Sequence, residues 1–286
     1  MSDSGFVDGT VLVVAFEGWN DAGEAASGAA RALRDQLGLV AVYDVDPEVY
    51  FDYQFSRPMI SIDENGRRMI SWPAVTLFGP ADGDGDVYVL LGTEPSRNWK
   101  SFAAEIMAEV DERGITSIVF LGAMLADVPH TRPINVVVSS DDPDVREEFD
   151  LVRSDYLGPV GILSVLAVGA QALGIPSASI WASVPHYVHN APAPKATLAL
   201  IDRLEDFVPV SLDRGTLADE ATAWVSGIDA LAEEDDEMAA YISQLEQARD
   251  TVDSPEASGD AIAEEFERYL RRRGRQPGDS SPDRSP

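Results

Sequence analysis

Carboxylates, an amide, arginines and a histidine follow three apolar runs of this chain. After the runs VLVVAF, VYVLLG and SIVFLGA come Glu17, Asn20, Asp21, Glu94, Arg97, His130 and Arg132. Carboxylates and histidine can transfer protons near neutral pH, and arginine binds anions through bidentate hydrogen bonds. If the three runs are neighbouring strands, their carboxyl ends share one edge of a sheet, where ligands bind in open α/β folds. These residues therefore predict a pocket for an anionic or sugar-like ligand.

The same residues also have a structural interpretation. Asp21 can cap the helix that follows it, since carboxylates stabilise helix amino termini. Glu94 can form an ion pair with Arg97, three residues further along. Structural ion pairs shift pKa values as catalytic sites do, so the residue types alone do not separate a ligand pocket from a set of caps and cross-links.

Metal and cofactor chemistry has little support in the sequence. His186 and His189 lie three residues apart beside Pro185, and on an extended chain this spacing puts them on opposite faces. The absence of cysteine excludes disulfides, thiolate metal sites and a cysteine nucleophile. No Walker loop, dinucleotide glycine fingerprint or G-x-S-x-G elbow occurs. We expect no metal and no cofactor.

The elements that must position these residues alternate along the chain. Short apolar runs predict strands at 11–16, 40–45, 87–92, 117–123, 134–139 and 178–185, and helical spacing predicts helices at 24–38, 96–114 and 158–174. The last of these helices is apolar enough to be buried on most sides. Asn65 and Gly66 between two alternating runs predict a hairpin over 59–78. Strand and helix units in alternation predict a mostly parallel sheet covered on both faces.

The pattern changes to helices beyond Pro209. Apolar residues at helical spacing predict an interface through Trp224, Ile228, Leu231, Met238, Ile242 and Leu245. This stripe is too wide to remain in water, so it should dock on the core or on a neighbouring subunit. We therefore expect an α/β domain over 1–211, a helical extension over 212–273 and a disordered tail over 274–286.

The composition excludes two classes of partner. The 286-residue chain has a net charge of -29, which argues against the clustered basic surface that nucleic-acid binding needs. No apolar run approaches the roughly 20 residues of a bilayer span, and the amino terminus does not look like a signal peptide. The expectation is a soluble cytoplasmic protein that binds neither nucleic acid nor membrane.

Five ordered motifs resemble the PAC2 family, named for eukaryotic proteasome assembly chaperone 2. They are FEGWNDAGEAA, LLGTEPSRNWKSF, LGAMLADVPHTRP, GPVGIL and WASVPHYVHNAPAPKATLAL. The resemblance covers about the first 210 residues, and the later segment EFERYLRRR is similar to the extension of actinobacterial members.

The resemblance implies a three-layer α/β/α sandwich similar to purine nucleoside phosphorylases, often assembled as a homo-oligomer. Eukaryotic and archaeal relatives act as proteasome assembly factors, and some dock through a carboxyl-terminal hydrophobic-Tyr-x tail. The last residues here are SPDRSP. Docking by that route is therefore not expected.

The sequence is compatible with two functions. The expected one is a non-enzymatic, homo-oligomeric binding or assembly protein with an unknown protein partner. The alternative is a small-molecule enzyme, such as a nucleoside hydrolase or phosphorylase, with a site at the carboxyl edge of the strands. In the alternative, Glu17 or Glu94 is the acid or base, Arg97 and Arg132 bind an anion, and His130 carries a proton.

Overall fold

The computed structural model describes residues 5–83, 85–188 and 192–252. The chain divides into two compact units, Met1–Glu234 and Asp235–Pro286. The described strands are β1 (Val11–Glu17), β2 (Val40–Asp44), β3 (Met59–Ile62), β4 (Arg68–Ser71), β5 (Val75–Gly79), β6 (Val87–Thr93), β7 (Ser117–Ala126), β8 (Val136–Ser139) and β9 (Ser177–Pro185). The described helices are α1 (Ala25–Gln36), α2 (Pro47–Tyr50), α3 (Trp99–Glu112), α4 (Pro143–Phe149), α5 (Ile162–Ala172), α6 (Pro194–Leu204), α7 (Leu217–Glu233) and α8 (Asp236–Val252).

A seven-stranded sheet forms the centre of the first unit, in the order β2-β5-β6-β1-β7-β9-β8. Strands β6, β1, β7 and β9 pair in parallel, whereas β2, β5 and β8 pair antiparallel at the two sides. Strand β1 is apolar and buried over its first six residues, as a strand covered on both faces must be. The predicted strands and the parallel centre of the sheet are confirmed.

Helices cover the sheet on both faces. Val11 and Val13 of β1 pack in one apolar cluster with α1 and α6, while Leu12 and Val14 pack in a second cluster with α3 and α5. This division follows from the strand geometry, because successive side chains point to opposite faces. The expected three-layer α/β/α arrangement is confirmed.

Helix α5 is less buried than its sequence predicts. Ile162 and Leu166 lie on the side of the helix that faces the sheet and are fully buried. By contrast, Val168 is 64% exposed and Leu173 is 58% exposed. The prediction of a helix buried on most sides is wrong, because one face alone meets the sheet and α3 and no described element covers the other. Val168 of α5 and Leu173, just after its last turn, are thus exposed.

The hairpin forms around Asn65 and Gly66, as predicted. Gly66 adopts a φ of 78°, and the Asp63 carboxylate accepts hydrogen bonds from the backbone N–H groups of Asn65 and Arg67. The two strands, β3 and β4, form a separate two-stranded sheet. The predicted range of 59–78 is too long, because β5 leaves the hairpin and pairs with β2 and β6 of the central sheet.

The first compact unit continues past the boundary expected at 211. Helix α7 packs against α6, which keeps it within the unit that ends at Glu234. In the second unit, α8 begins after Asp235, whose carboxylate accepts from the N–H groups of Glu237 and Met238. The remainder of the expected extension and the tail, 253–286, lie outside the described residues. No helix within the described ranges is long and apolar enough to cross a membrane.

Replacing Gly92 by alanine should destabilise the sheet. A Cβ at this position would lie 2.6 Å from the Cα of Val75 and still closer to the carbonyl oxygen of Ala74, both backbone atoms of the segment paired with β6. We expect the free energy of unfolding to fall by about 3 kcal/mol, the upper part of the range for overpacking. Denaturant unfolding followed by circular dichroism measures the change.

Gly227→Ala is the matched control. Gly227 lies inside α7, and a Cβ there would meet nothing within 4 Å. Alanine should therefore stabilise the helix by up to about 1 kcal/mol. Equal stability of Gly92→Ala and the wild type would contradict the close approach of β5 to β6.

Candidate functional site

The turn after β1 uses Asp21 as a helix cap. The Asp21 carboxylate accepts hydrogen bonds from the N–H groups of Ala26 at 2.8 Å and Ser27 at 3.1 Å, in the first turn of α1. These two donors have no partner within the helix, so the carboxylate satisfies them. The predicted role of Asp21 at a helix start is confirmed.

Asp21 is also a strongly buried acid. Its second carboxylate oxygen, Oδ2, has less than 1 Å² of accessible surface and no hydrogen-bond partner. Burial raises the pKa of Asp21 above its ordinary value, while hydrogen bonds from Ser27 and Ala26 and the charge of Arg31 oppose that shift. The charged form of Asp21 therefore destabilises the folded state relative to its protonated form.

Glu94 and Asn20 bring two strand ends together. Glu94 Oε1 accepts from Asn20 Nδ2 at 3.2 Å and from the N–H of Ile162, the first residue of α5, at 2.8 Å. The backbone carbonyl of Asn20 accepts from the N–H of Ala123 in β7. Asn20 and Glu94 thus connect β1, β6 and β7 to the start of α5. The side chains that follow β1 and β6 therefore lie close together, as the sequence predicts.

Glu17 has an ion-pair partner at the same edge. Its Oε1 lies 2.5 Å from a guanidinium nitrogen of Arg31 on α1, and its Oε2 accepts a longer bond of 3.4 Å from the Thr93 hydroxyl. The Glu17 side chain remains 45% exposed, so this pair stabilises the fold only modestly.

Arg97 does not pair with Glu94. Its guanidinium donates to the backbone carbonyls of Glu48 and Val49, which holds the turn after β6 against α2. The predicted Glu94–Arg97 ion pair is wrong, because the carbonyl groups left at the end of the short helix α2 take the arginine donors.

His130 is the buried centre of a separate cluster. Its side chain is fully buried, with Nδ1 2.9 Å from the Tyr187 hydroxyl and Nε2 3.0 Å from Asp229 Oδ1 on α7. The His130 N–H also donates to the Tyr187 hydroxyl, and the Trp224 ring of α7 meets the imidazole edge-on at 6.2 Å. The imidazole therefore links the turn after β7, the end of β9 and helix α7.

Lys195 binds the backbone of this cluster. Its ammonium donates to the carbonyl oxygens of His130 at 2.6 Å and Arg132 at 2.8 Å, and Arg132 reaches the hydroxyl of Thr131. Burial lowers the pKa of Lys195, and the nearby charge of Asp229 opposes that shift. The lysine thus holds the backbone of His130, the predicted proton carrier, and of Arg132, a predicted anion-binding residue.

The described hydrogen bonds thus divide the predicted pocket into three parts. Asn20, Asp21 and Glu94 serve the starts of α1 and α5, with Glu17 beside them. Arg97 binds the end of α2, whereas His130 and Arg132 belong to the cluster around Tyr187, Lys195 and Asp229. Tyr187 and Lys195 lie in a segment that carries the family resemblance. Asp229 lies 99 residues from His130 and has no sequence signal of its own.

The predicted interface residues do not share one environment. Ile228 is buried and Trp224 partly buried on the core side of α7, whereas Leu231 is exposed. On α8, Ile242 and Leu245 are buried and Met238 is partly exposed. Their role in an interface stays a prediction.

The two histidines considered as metal ligands, His186 and His189, are only partly described by the structure. His186 Nδ1 lies 3.2 Å from Asp127, and His189 lies outside the described residues. Among the side chains that the structure places, no three histidine or acidic residues gather in a metal-binding group.

Comparison with known proteins places the fold in one family. A model of the PAC2 family matches residues 15–232. A PAC2 family protein of Streptomyces avermitilis is 42% identical, with a TM-score of 0.72 over 81% of this chain and 99% of that one. A proteasome-assembly chaperone homologue of Mycobacterium tuberculosis is 39% identical, with a TM-score of 0.72 over 82% of this chain and 100% of that one.

More distant structures share the fold alone. An archaeal proteasome activator of Pyrococcus furiosus is 16% identical, with a TM-score of 0.61 over 78% of this chain and 93% of that one. No curated protein matches the chain at a significant level.

Asp21→Ala should cost about 2 kcal/mol of unfolding free energy, because it leaves two helix donors without an acceptor. Asp21→Asn should recover most of this loss at neutral pH, since its amide oxygen can accept from the same N–H groups. The raised pKa of Asp21 means that the folded state holds the proton more tightly than the unfolded state. Wild-type stability relative to Asp21→Asn should therefore fall as the pH rises from 3.8 through the raised pKa.

Urea unfolding of both variants and the wild type between pH 4 and 8 measures this difference. If the unfolding free energy of the wild type minus that of Asp21→Asn stays constant or rises with pH, the burial of the charged carboxylate is contradicted.

Asp229→Ala should loosen α7. It removes the acceptor of a buried imidazole, and we expect the unfolding free energy to fall by about 1–2 kcal/mol, with faster amide exchange in α7. Hydrogen exchange with mass spectrometry locates the effect. Glu233→Ala removes the same charge from an exposed position on α7 and should change stability by less than about 0.5 kcal/mol. Identical exchange of α7 in both variants would show that the His130 contact does not hold the helix.

Proposed function

This chain belongs to the PAC2 family, and we propose on that basis that it is a non-enzymatic, chaperone-like assembly protein. In this proposal the chain forms homo-oligomers, acts in the cytoplasm and binds a subunit of the proteasome. The observation that carries the proposal is its similarity, over most of its length, to a proteasome-assembly chaperone homologue from an actinobacterium.

The candidate site supports a binding role over catalysis. Two of its acids are engaged in hydrogen bonds: the buried Asp21 caps α1, and the partly buried Glu94 binds the first N–H of α5 together with Asn20. A general acid or base must be free to reach a substrate proton. These side chains instead stabilise the strand ends and helix starts that hold the fold together.

The surface charge supports a protein partner. A net charge of -29 on 286 residues produces a strongly negative field, which accelerates the encounter with a basic surface and makes it sensitive to salt. Exposed apolar residues on the hairpin and on α5 could form the buried contact area of such a complex.

Proteasome assembly is the direct test. Purified α and β subunits of the 20S proteasome from the organism of this chain are mixed with and without the chain, and native gels follow the formation of half and full particles. We expect the chain to co-migrate with an intermediate and to raise the assembly rate severalfold, with weaker binding at high salt. Absence of both effects at a tenfold molar excess would overturn the proteasome part of the proposal.

The enzymatic alternative has its own measurement. The chain is incubated with a panel of nucleosides, with and without inorganic phosphate, and free base is measured by chromatography. We expect no turnover above a blank without protein. Turnover that Glu94→Gln or Glu17→Gln abolishes, while the variant remains folded, would overturn the non-enzymatic proposal.

A further inference from the structure

A cleft of about 480 Å³ lies between α2 and the turn after β6. Its lining consists of Glu48 on α2, residues 51–54 that follow this helix, and Arg97 from the turn. The volume falls within the range of about 300–1,000 Å³ that small-molecule sites occupy. We call this feature the α2 cleft.

Hydrogen bonds to the backbone hold the two walls of the α2 cleft together. The N–H groups of Ser96 and Arg97 donate to the carbonyl oxygen of Tyr50 at 2.9 and 3.2 Å, and Asn98 Nδ2 donates to that of Val49 at 2.8 Å. Tyr50 is itself buried, which fixes this wall to the core. The cleft is therefore formed before any ligand arrives, and a preformed site loses less entropy on binding.

Charges of opposite sign line the cleft without pairing. Arg97 donates to the backbone carbonyl oxygens of Glu48 and Val49, and within the described ranges no ion pair joins its guanidinium to the carboxylate of Glu48 or Asp52. The two bonds use two of the five N–H donors of an arginine. The other donors remain available to a ligand carboxylate, which arginine binds in a bidentate manner.

The two carboxylates also keep free acceptors. Asp52 Oδ1 accepts from the N–H of Gln54, and Glu48 Oε1 lies 3.4 Å from the Tyr53 hydroxyl. Desolvation, the charge of Glu48 and its hydrogen bond raise the pKa of Tyr53, while the charge of Arg97 lowers it. Both signs of charge thus act on one phenol at the wall of the cleft.

Two aromatic rings supply the apolar part of the lining. Phe51 is 1% exposed and packs in the cluster that contains α3, and the Tyr53 ring lies 4.8 Å from that of Trp72. A ligand with a single charge would meet a like charge in this cleft, a carboxylate at Glu48 and Asp52 or an ammonium at Arg97, and like charges in contact are costly. A ligand with both charges avoids this cost.

We propose that the α2 cleft binds a small zwitterion, an α-amino acid or a short peptide with an apolar side chain. Arg97 binds the carboxylate of this ligand, Glu48 and Asp52 bind its ammonium group, and the ring of Tyr53 packs against its side chain. This binding site goes beyond the assembly role and does not depend on it.

Calorimetric titration with four related probes tests the ligand class. The zwitterions are L-phenylalanine and the dipeptide alanyl-phenylalanine, and the analogues with one charge are phenethylamine and 3-phenylpropionate. We expect at least one zwitterion to bind at one site per chain, at least about tenfold more tightly than either analogue, because each analogue loses one charged contact. The tighter zwitterion shows whether a free amino acid or a peptide fits.

Two outcomes of this titration overturn the proposal. One is the absence of saturable binding of both zwitterions up to about 10 mM. The other is an analogue that binds as tightly as the better zwitterion, since the opposite charges of the cleft would then have no role.

The double variant Glu48→Gln, Asp52→Asn tests the assignment of the ammonium contacts. It removes both negative charges but keeps an amide oxygen that can accept from Gln54. We expect the affinity for the zwitterion to fall at least about tenfold, while 3-phenylpropionate binds at least as tightly as it does to the wild type. An unchanged affinity for the zwitterion overturns the assignment.

The matched control is Glu64→Gln, Asp111→Asn, which removes two exposed acids outside the cleft. It should bind the zwitterion as the wild type does, and an equal loss in the control would show an effect of net charge alone and overturn the proposal. Hydrogen exchange locates the ligand independently. Bound zwitterion should slow exchange in residues 46–56 and 95–99, and protection confined to other segments overturns the site.

Discussion

The burial of β1 on both faces is the constraint on which the rest of the structure depends. A strand in the middle of a parallel sheet has no polar face, so the chain can place polar groups only where the strand ends. At that edge, α1 and α5 begin next to buried backbone, and their first N–H groups need acceptors. Asp21 and Glu94 supply them, and Asn20 connects the two. The cluster of acids that suggests catalysis in the sequence is, in the folded chain, the means of starting two helices.

The second polar cluster has a different task. His130 is buried without solvent contact, and its ring nitrogens meet Tyr187 and Asp229 while Lys195 holds its carbonyl group. A buried imidazole with both nitrogens satisfied is compatible with an apolar surrounding, whereas an unsatisfied one is costly. Because Asp229 comes from α7, this cluster ties α7 to the turn after β7 within the first compact unit.

The exposed apolar residues are a third feature of the structure. The chain has a net charge of -29, yet the hairpin exposes isoleucines and α5 exposes Val168. Engaged acids at the sheet edge and exposed apolar side chains are the features on which the proposed binding role rests.

The sequence by itself determined the local elements and the family. Periodicity places β1, α1 and α3 within a few residues of their observed bounds, because burial imposes a period of two on strands and 3.6 on helices. Five motifs identify the family, and Asp21 as a cap follows from helix chemistry. Only the tertiary structure decided the antiparallel sides of the sheet, the open face of α5, the pairing of Arg97 with α2 and that of His130 with Asp229. Each of these depends on which distant segments meet, and a pattern of apolar residues reports that a side chain is buried without reporting its partner.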